Sequence, residues 1–259
     1  MIISLPQVEV FLFILARIAG LFIQVPVISS RSFPSFLKIA LAIWISAVLW
    51  FVTPVRAELL PNSLPAFIVF LVMEVAIGFT IGFICNVIFL GVQSAGEIID
   101  LQMGLSVSQA FDPVFGTAIS IVGRMLSFVA ITVFLIVNGH HMVLTVLNQS
   151  FRMLPVPAVI NPTAPNFILE LLNLGGIMLL TAVQLSAPIV LIIFLSDFCF
   201  GIVSRVAPQV NVFMLGFQVK PALGLIAILF TLPLLIKHIT ALLGIMGEEV
   251  LKLLMVLKI

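Results

Sequence analysis

The chain has 259 residues, of which 63% are hydrophobic and only 8% are charged, and its mean hydropathy is +1.38. Because soluble domains carry about 25% charged residues, this composition predicts an integral membrane protein. A formal net charge of +1, without any run of Lys or Arg, excludes the basic surface that nucleic-acid binding needs.

Six apolar segments are long enough to predict helices at membrane depth. A spanning α-helix needs about 20 mostly apolar residues. In chain order the segments lie near residues 10–30, 37–53, 66–91, 118–138, 171–196 and 212–236. The links between them carry proline and other turn residues. The sequence therefore predicts an all-α membrane protein with about six apolar helical segments.

The end of the chain and the distribution of basic residues modify this picture. From His238 to Ile259, Glu248, Glu249, Lys252 and Lys258 lie among leucines, which predicts an amphipathic tail for an interface or a partner. Lys and Arg are nearly balanced on the two sides of the six segments, so the positive-inside rule gives no orientation. This balance fits helices that are kinked or that do not cross the bilayer in serial order.

Three charged residues, Arg17, Glu74 and Arg124, lie inside apolar runs. A charge that faces lipid costs about 2.5–3.5 kcal/mol on insertion scales. We therefore expect all three side chains to face protein or water.

Four residues in the third segment recur at a spacing of four: Glu74, Gly78, Gly82 and Asn86. This spacing puts them along one side of a helix, and two glycines four apart allow two helix backbones to approach closely. One interpretation is a seam for helix packing or for a partner. The other is a proton or ion path through Glu74, as in an ion-coupled transporter.

Residues that could support catalysis or metal binding are scattered. His140 and His141 are adjacent, so on a helix they point about 100° apart, and the turn signal Asn-Gly before them predicts a cap at the membrane boundary. The acids Asp100, Asp112 and Asp197 have no nucleophile or base at a catalytic spacing. The sequence thus predicts no enzyme, no metal site and no cofactor.

The stretch Gly96 to Gly116 is too polar for lipid and too apolar for an ordinary surface loop. The pair Asp112-Pro113 disfavours helix, and Phe111 and Phe115 add bulk beside it. Non-helical backbone at membrane depth is tolerated only inside protein or in a water-filled cavity. Two interpretations stay open: a mobile segment that lines or blocks a lumen, and an apolar surface loop.

Four blocks of sequence resemble the FliR family, the flagellar biosynthesis proteins of the type III export gate. In order they are RIAGLFIQVPVISSRSFPSFLKIALA (17–42), GEIIDLQMGLSVSQAFDP (96–113), NGHH (138–141) and SRVAPQVNVFMLGFQVKPALGL (204–225). The resemblance covers nearly the whole chain. It departs from the family at Pro157, where a glycine is expected, and residues 157–166 match no family pattern.

The resemblance implies a core subunit of the channel that passes unfolded flagellar proteins across the bacterial inner membrane, within the flagellar basal body. The implied partners are FliP, FliQ, FlhB and FlhA, and no catalytic residue or cofactor is implied. Residues 1–170 are expected to form a FliP-like helical portion. Residues 171–259 are expected to form a FliQ-like helical hairpin with the amphipathic tail, in a helical assembly raised out of the membrane plane.

The resemblance also implies a plug loop in the stretch that the physical analysis left open. Its residues are Ser106, Val107, Ser108, Gln109, Ala110, Phe111, Asp112, Pro113, Val114, Phe115 and Gly116. A homologous subunit, SctT, serves virulence type III secretion systems, and the residues LQMG at 101–104 favour the flagellar one. The alternatives are the virulence subunit and an ion-coupled transporter.

Overall fold

The computed structural model describes residues 5–30, 33–55, 58, 60–61, 63–105, 120–160 and 165–257. Across these ranges the regular structure is α-helical, which confirms the predicted fold class. The helices are α1 (Leu5–Gln24), α2 (Ser35–Trp50), α3 (Leu64–Met103), α4 (Ile121–Ile136), α5 (Gly139–Met153), α6 (Pro165–Val206) and α7 (Val212–Leu257).

Helix lengths indicate a multi-pass membrane protein. Within the described part of the chain, α1, α3, α6 and α7 are each long and apolar enough to cross a bilayer. Helices α4 and α5 are bent by 70° and together pass the same test as one broken span. Helix α2 has 16 residues, fewer than the roughly 20 that a perpendicular span requires. The prediction that some segments are kinked is confirmed by this bend.

The bend lies at the Asn-Gly turn. Asn138 adopts a left-handed conformation with φ of 57°, which Asn tolerates better than most residues, and it precedes the first residue of α5. His140 and His141 lie exposed on the first turn of α5, with ring centroids 4.4 Å apart. The sequence predicted the turn but not the helix that follows it.

The chain forms two compact units, and neither is continuous in sequence. Unit 1 consists of Met1–Val87, Leu135–Gly175 and Leu243–Ile259. Unit 2 consists of Ile88–Phe134 and Gly176–Leu242. The predicted boundary at residue 170 concerns likeness to FliP and FliQ rather than compactness, and it stays a prediction.

In unit 1, α1 packs so closely against α3 that glycines of each helix contact the backbone of the other. A Cβ added to Gly20 would overlap the Val75 carbonyl of α3, and one added to Gly78 would overlap the Arg17 carbonyl of α1. A Cβ on Gly82 would lie 2.7 Å from the Leu21 carbonyl oxygen. Only glycine fits at these positions, because any side chain would push the helices apart.

The amphipathic tail is the end of α7, and unit 1 covers its apolar stripe. The buried residues recur at three and four positions, which places them on one helix face. They are Leu243, Met246, Val250, Leu253, Leu254 and Leu257. A Cβ on Gly247 would lie 2.9 Å from Met142 of α5. The chain itself therefore covers this stripe, and the expectation that the tail serves an interface or a partner stays a prediction for its exposed face.

In unit 2 the second half of α3 packs against α4, α6 and α7. Phe89 and Phe134 meet edge to face, with ring centroids 5.6 Å apart. A Cβ on Gly91 would lie 3.2 Å from Thr181 of α6, and one on Gly224 of α7 would lie 2.6 Å from the Met103 sulfur. Small residues on α3 and α7 thus set the spacing of this core.

We predict that Gly82→Leu destabilises the chain itself, because the new side chain has to displace the α1 backbone. Overpacking of this kind typically costs about 1–3 kcal/mol. Thermal unfolding of the detergent-solubilised chain measures the loss. The matched control is Phe83→Leu, which changes a half-buried neighbour in α3. Equal melting temperatures for the two variants would contradict the packing seen at Gly82.

Candidate functional site

A buried ion pair joins α1 to α3 within unit 1. The Arg17 Nε donates a hydrogen bond of 2.6 Å to Glu74 Oε2, and both side chains are fully buried at 0% exposure. The sequence predicted that both charges face protein or water, and the structure places them against each other.

The rest of the Arg17 guanidinium is held by α5 and the link behind it. Its Nη1 donates to Ser150 Oγ at 3.2 Å, and its Nη2 donates to the Leu154 carbonyl oxygen at 3.0 Å. The guanidinium carbon lies 4.2 Å from the centroid of the Phe151 ring, within the range of a cation–π contact. Arg17 therefore ties α1 to α5 as well as to α3.

The second oxygen of Glu74 stabilises the same link. Glu74 Oε1 accepts a hydrogen bond of 2.9 Å from the backbone N–H of Ala158. Leu154, Val156 and Ala158 are all buried, although this stretch is not helical. Because buried irregular backbone needs hydrogen-bond partners, the ion pair supplies what the link cannot supply for itself.

Asn86 extends this contact along α3. Its Nδ2 donates to Gln24 Oε1 of α1 at 3.0 Å. All four residues at the spacing of four thus meet α1 of the same chain. Both carboxylate oxygens of Glu74 are engaged, so the arrangement favours helix packing over an ion path.

The predicted plug, Ser106–Gly116, lies outside the described residues, but its two flanks are described. On one side α3 ends at Met103, and Gly104 follows with φ of 78°. Glycine adopts this left-handed conformation without strain, as it does after many helices. On the other side α4 begins just after Ser120.

A second close helix contact, in unit 2, joins the two flanks, which are the last turns of α3 and the start of α4. A Cβ on Gly96 of α3 would overlap the backbone of Gly123 in α4. The buried Asp100 carboxylate accepts the Val122 N–H at 3.4 Å, and Ser120 Oγ accepts the Gly123 N–H at 2.7 Å. An acid and a serine at a helix N-terminus satisfy N–H groups that have no partner inside the helix.

Sequence reasoning missed the role of Asp100, which looked like one of several scattered acids. The available signals were the spacing of four between Gly96 and Asp100 and a serine, Ser120, directly before the apolar run that begins at Ile121.

Beside the α3 flank, unit 2 contains a cleft of about 470 Å³. Its lining includes Gln102 and Gly104 of α3 and Phe213, Phe217 and Lys220 of α7. The Lys220 Nζ lies 2.5 Å from the Asp197 carboxylate of α6. This ion pair was not predicted, because the two residues belong to different helices.

Arg124 differs from the other two charges in apolar runs. It is exposed on α4 and lines a shallow cleft with Ile121, Met125 and Phe128. Within the described part of the chain, no acid forms an ion pair with it. Among the described residues nothing engages its guanidinium, which leaves it to water or to another protein.

We predict strong coupling between Arg17 and Glu74 in a double-mutant cycle. Arg17→Met leaves a buried carboxylate without its cation, and removing one partner of a buried pair typically costs about 3–5 kcal/mol. Adding Glu74→Gln to Arg17→Met removes the uncompensated charge, so the double variant loses much less than the sum. Thermal unfolding in detergent measures the cycle.

The control for this cycle is Asp197→Asn with Lys220→Gln, because that pair is partly exposed and such pairs contribute about 0–1 kcal/mol. Additive losses at Arg17 and Glu74 would show that the two charges do not depend on each other.

Comparison with known proteins identifies the family. The family described as Bacterial export proteins, family 1, matches residues 8–246. The flagellar biosynthetic protein FliR of Pectobacterium carotovorum subsp. carotovorum is 32% identical over 233 residues, which cover 88% of this chain and 86% of the relative. FliR of Bacillus subtilis (strain 168) is 32% identical over 223 residues, covering 85% and 84%.

A relative with a different printed role matches a shorter region. The Yop proteins translocation protein T of Yersinia pestis is 30% identical over 151 residues, which cover 58% of each chain. The resemblance to the FliR family that the four sequence blocks predicted is confirmed by these matches. The chain belongs to the bacterial export proteins, family 1.

Proposed function

We propose that this chain is a core subunit of the flagellar type III protein export gate in the bacterial inner membrane. With FliP and FliQ it forms the channel that passes unfolded flagellar proteins, and it has no catalytic role. The observation that carries this proposal is the likeness to flagellar FliR proteins along 85–88% of the chain.

The extent of similarity favours the flagellar system over a virulence system. The match to the Yersinia translocation protein covers 58% of the chain, against 88% for the Pectobacterium flagellar protein. An ion-coupled transporter has less support, because Glu74, the residue that suggested it, uses both carboxylate oxygens inside unit 1.

The length of α6 supports an assembly with unlike partners. At 1.5 Å per residue its 42 residues extend about 63 Å, roughly twice the 30 Å hydrocarbon core, and a tilt of 40° still leaves a large excess. Yet apolar side chains are exposed from Leu172 (67%) to Val206 (78%). Lipid covers only part of such a face, so other apolar helices have to cover the rest.

FliP, FliQ, FlhB and FlhA are the proposed partners, and unfolded flagellar proteins are the proposed cargo. Arg124 and the exposed apolar faces of α6 and α7 are the surfaces that we assign to partner subunits. In the same proposal, residues 1–170 correspond to a FliP-like portion and residues 171–259 to a FliQ-like hairpin.

The proposed closing element is the loop Ser106–Gly116. A channel wide enough for an unfolded polypeptide leaks ions whenever it stands open, so it needs a compliant apolar obstruction, and hydrophobic constrictions can gate by excluding water. The flanks support this role. Asp100 and the Gly96–Gly123 contact hold together the two helices that flank the loop in sequence, so we expect these helices to keep their packing when the loop changes conformation.

The function is tested by deleting the gene in the bacterium that encodes it. We expect flagellar proteins to disappear from the culture medium, and export to return when the chain is supplied in trans. The membrane complex from the complemented strain should contain FliP and FliQ. Normal flagellar export in the deletion strain, with loss of a virulence secretion activity instead, would establish the alternative.

The plug proposal predicts a leak without loss of assembly. Removing Val107 to Phe115, or changing Phe111 and Phe115 to glycine, removes the bulk that excludes water. We expect a normal yield of the complex together with raised conductance and growth inhibition by small solutes. The control is Phe51→Gly, which removes an exposed ring after α2, outside regular helix.

The surface-loop interpretation predicts the opposite pattern, with lost assembly and no leak. Unchanged conductance in a fully assembled deletion variant would remove the plug proposal while leaving the export function in place.

A further inference from the structure

A groove on unit 1 lies between α1 and α2 and has a volume of about 330 Å³. Most of its lining is apolar, with one polar end. The lining residues are Ala19, Phe22, Ile23, Ser29, Lys38, Ile39 and Ala42. None of these residues takes part in the ion pair or in the flanks of the predicted plug.

The polar end is built around Lys38 and the link that precedes α2. The Lys38 Nζ donates to the Ser30 carbonyl oxygen at 3.0 Å, and Ser30 Oγ donates to the Val27 carbonyl oxygen at 2.8 Å. This link is constrained, since Val27 has φ of 75°, which is unusual for a β-branched residue.

Lys38 carries a positive charge that the described part of the chain does not neutralise. No described carboxylate forms an ion pair with it. An ammonium has three donors, and the Ser30 carbonyl uses one of them. The polar end of the groove is therefore complementary to an anion.

The apolar side chains that form the walls of the groove are exposed on the surface of the protein. Ile23 and Ile39 are 57% and 61% exposed, and α1 is apolar and long enough to cross a bilayer. Apolar walls exclude a free inorganic anion as the natural occupant, because they offer it no polar partner. The walls suit a hydrocarbon chain, and basic residues beside membrane helices attract anionic lipid headgroups.

We propose that the α1–α2 groove binds an anionic glycerophospholipid. The lipid phosphate accepts hydrogen bonds from Lys38 Nζ, and an acyl chain lies along Ala19, Ile23 and Ile39. The positive charge of Lys38 selects an anionic headgroup, and the small side chain of Ala19 leaves space for the acyl chain. Such a site attaches the region where α1 and α2 meet to the lipids around the complex.

Native mass spectrometry of the purified export-gate complex, released from nanodiscs of phosphatidylcholine doped with phosphatidylglycerol, tests the site. Lys38→Gln should lower the retention of phosphatidylglycerol relative to phosphatidylcholine about fivefold, the effect expected for one basic residue at an anionic surface. Lys38→Arg keeps the charge and should keep the preference. Arg152→Gln, an exposed basic residue on α5 away from the groove, should leave it unchanged.

A second variant tests the acyl chain separately. Ala19 is exposed, so Ala19→Leu fills the groove without entering the core, and it should reduce the retention of both lipids while the charge is still present. An unchanged headgroup preference in Lys38→Gln would overturn the proposal. So would an Ala19→Leu variant that retains its lipid but assembles poorly with its partners, because that result would place a protein helix in the groove.

Discussion

The fold of unit 1 depends on the requirement that two charges in an apolar interior satisfy each other. Arg17 and Glu74 have no access to water, so their mutual contact and their hydrogen bonds must offset the loss of hydration. The pair meets only because Gly20, Gly78 and Gly82 let α1 approach α3 at backbone distance. The remaining donors and acceptors of the pair then fix the end of α5 and the buried link behind it.

In unit 2, as in unit 1, two helix backbones lie in close contact beside a buried acidic residue. Gly96 and Gly123 bring α3 and α4 together, and the Asp100 carboxylate crosses between them to the N-terminus of α4. In both units the acid and at least one glycine of the contact lie on α3, at spacings of four that keep them on one face: Glu74 with Gly78 and Gly82, and Asp100 with Gly96. One helix of 40 residues therefore carries both contacts, one in each half of its length.

Local patterns in the sequence predicted the described helices except α5, the turn at Asn138 and the face of α3 that packs. Periodicity and turn chemistry act over a few residues, so they are readable without a structure. The pairing of Arg17 with Glu74 joins residues 57 positions apart, and the pairing of Asp197 with Lys220 joins separate helices, so no local pattern identifies either partner. The sequence did not show that unit 1 covers the apolar stripe of the tail, because amphipathicity shows that a face is apolar without showing what covers it.

Substitutions at the two buried contacts, the Arg17–Glu74 pair and the Asp100 contact, should have different effects from substitutions in the loop. The Arg17–Glu74 pair and the Asp100 contact are buried and fully engaged, so a substitution there affects folding before it affects transport. The proposed plug, Ser106–Gly116, lies in sequence between the two helices that the Asp100 contact joins, and the proposed export function requires it to move whenever a polypeptide passes. Under that proposal, the buried junction lets α3 and α4 keep their packing while the segment between them exchanges contacts with the passing chain. A substitution in the loop should therefore change sealing more than stability, whereas a substitution at the junction should change stability first.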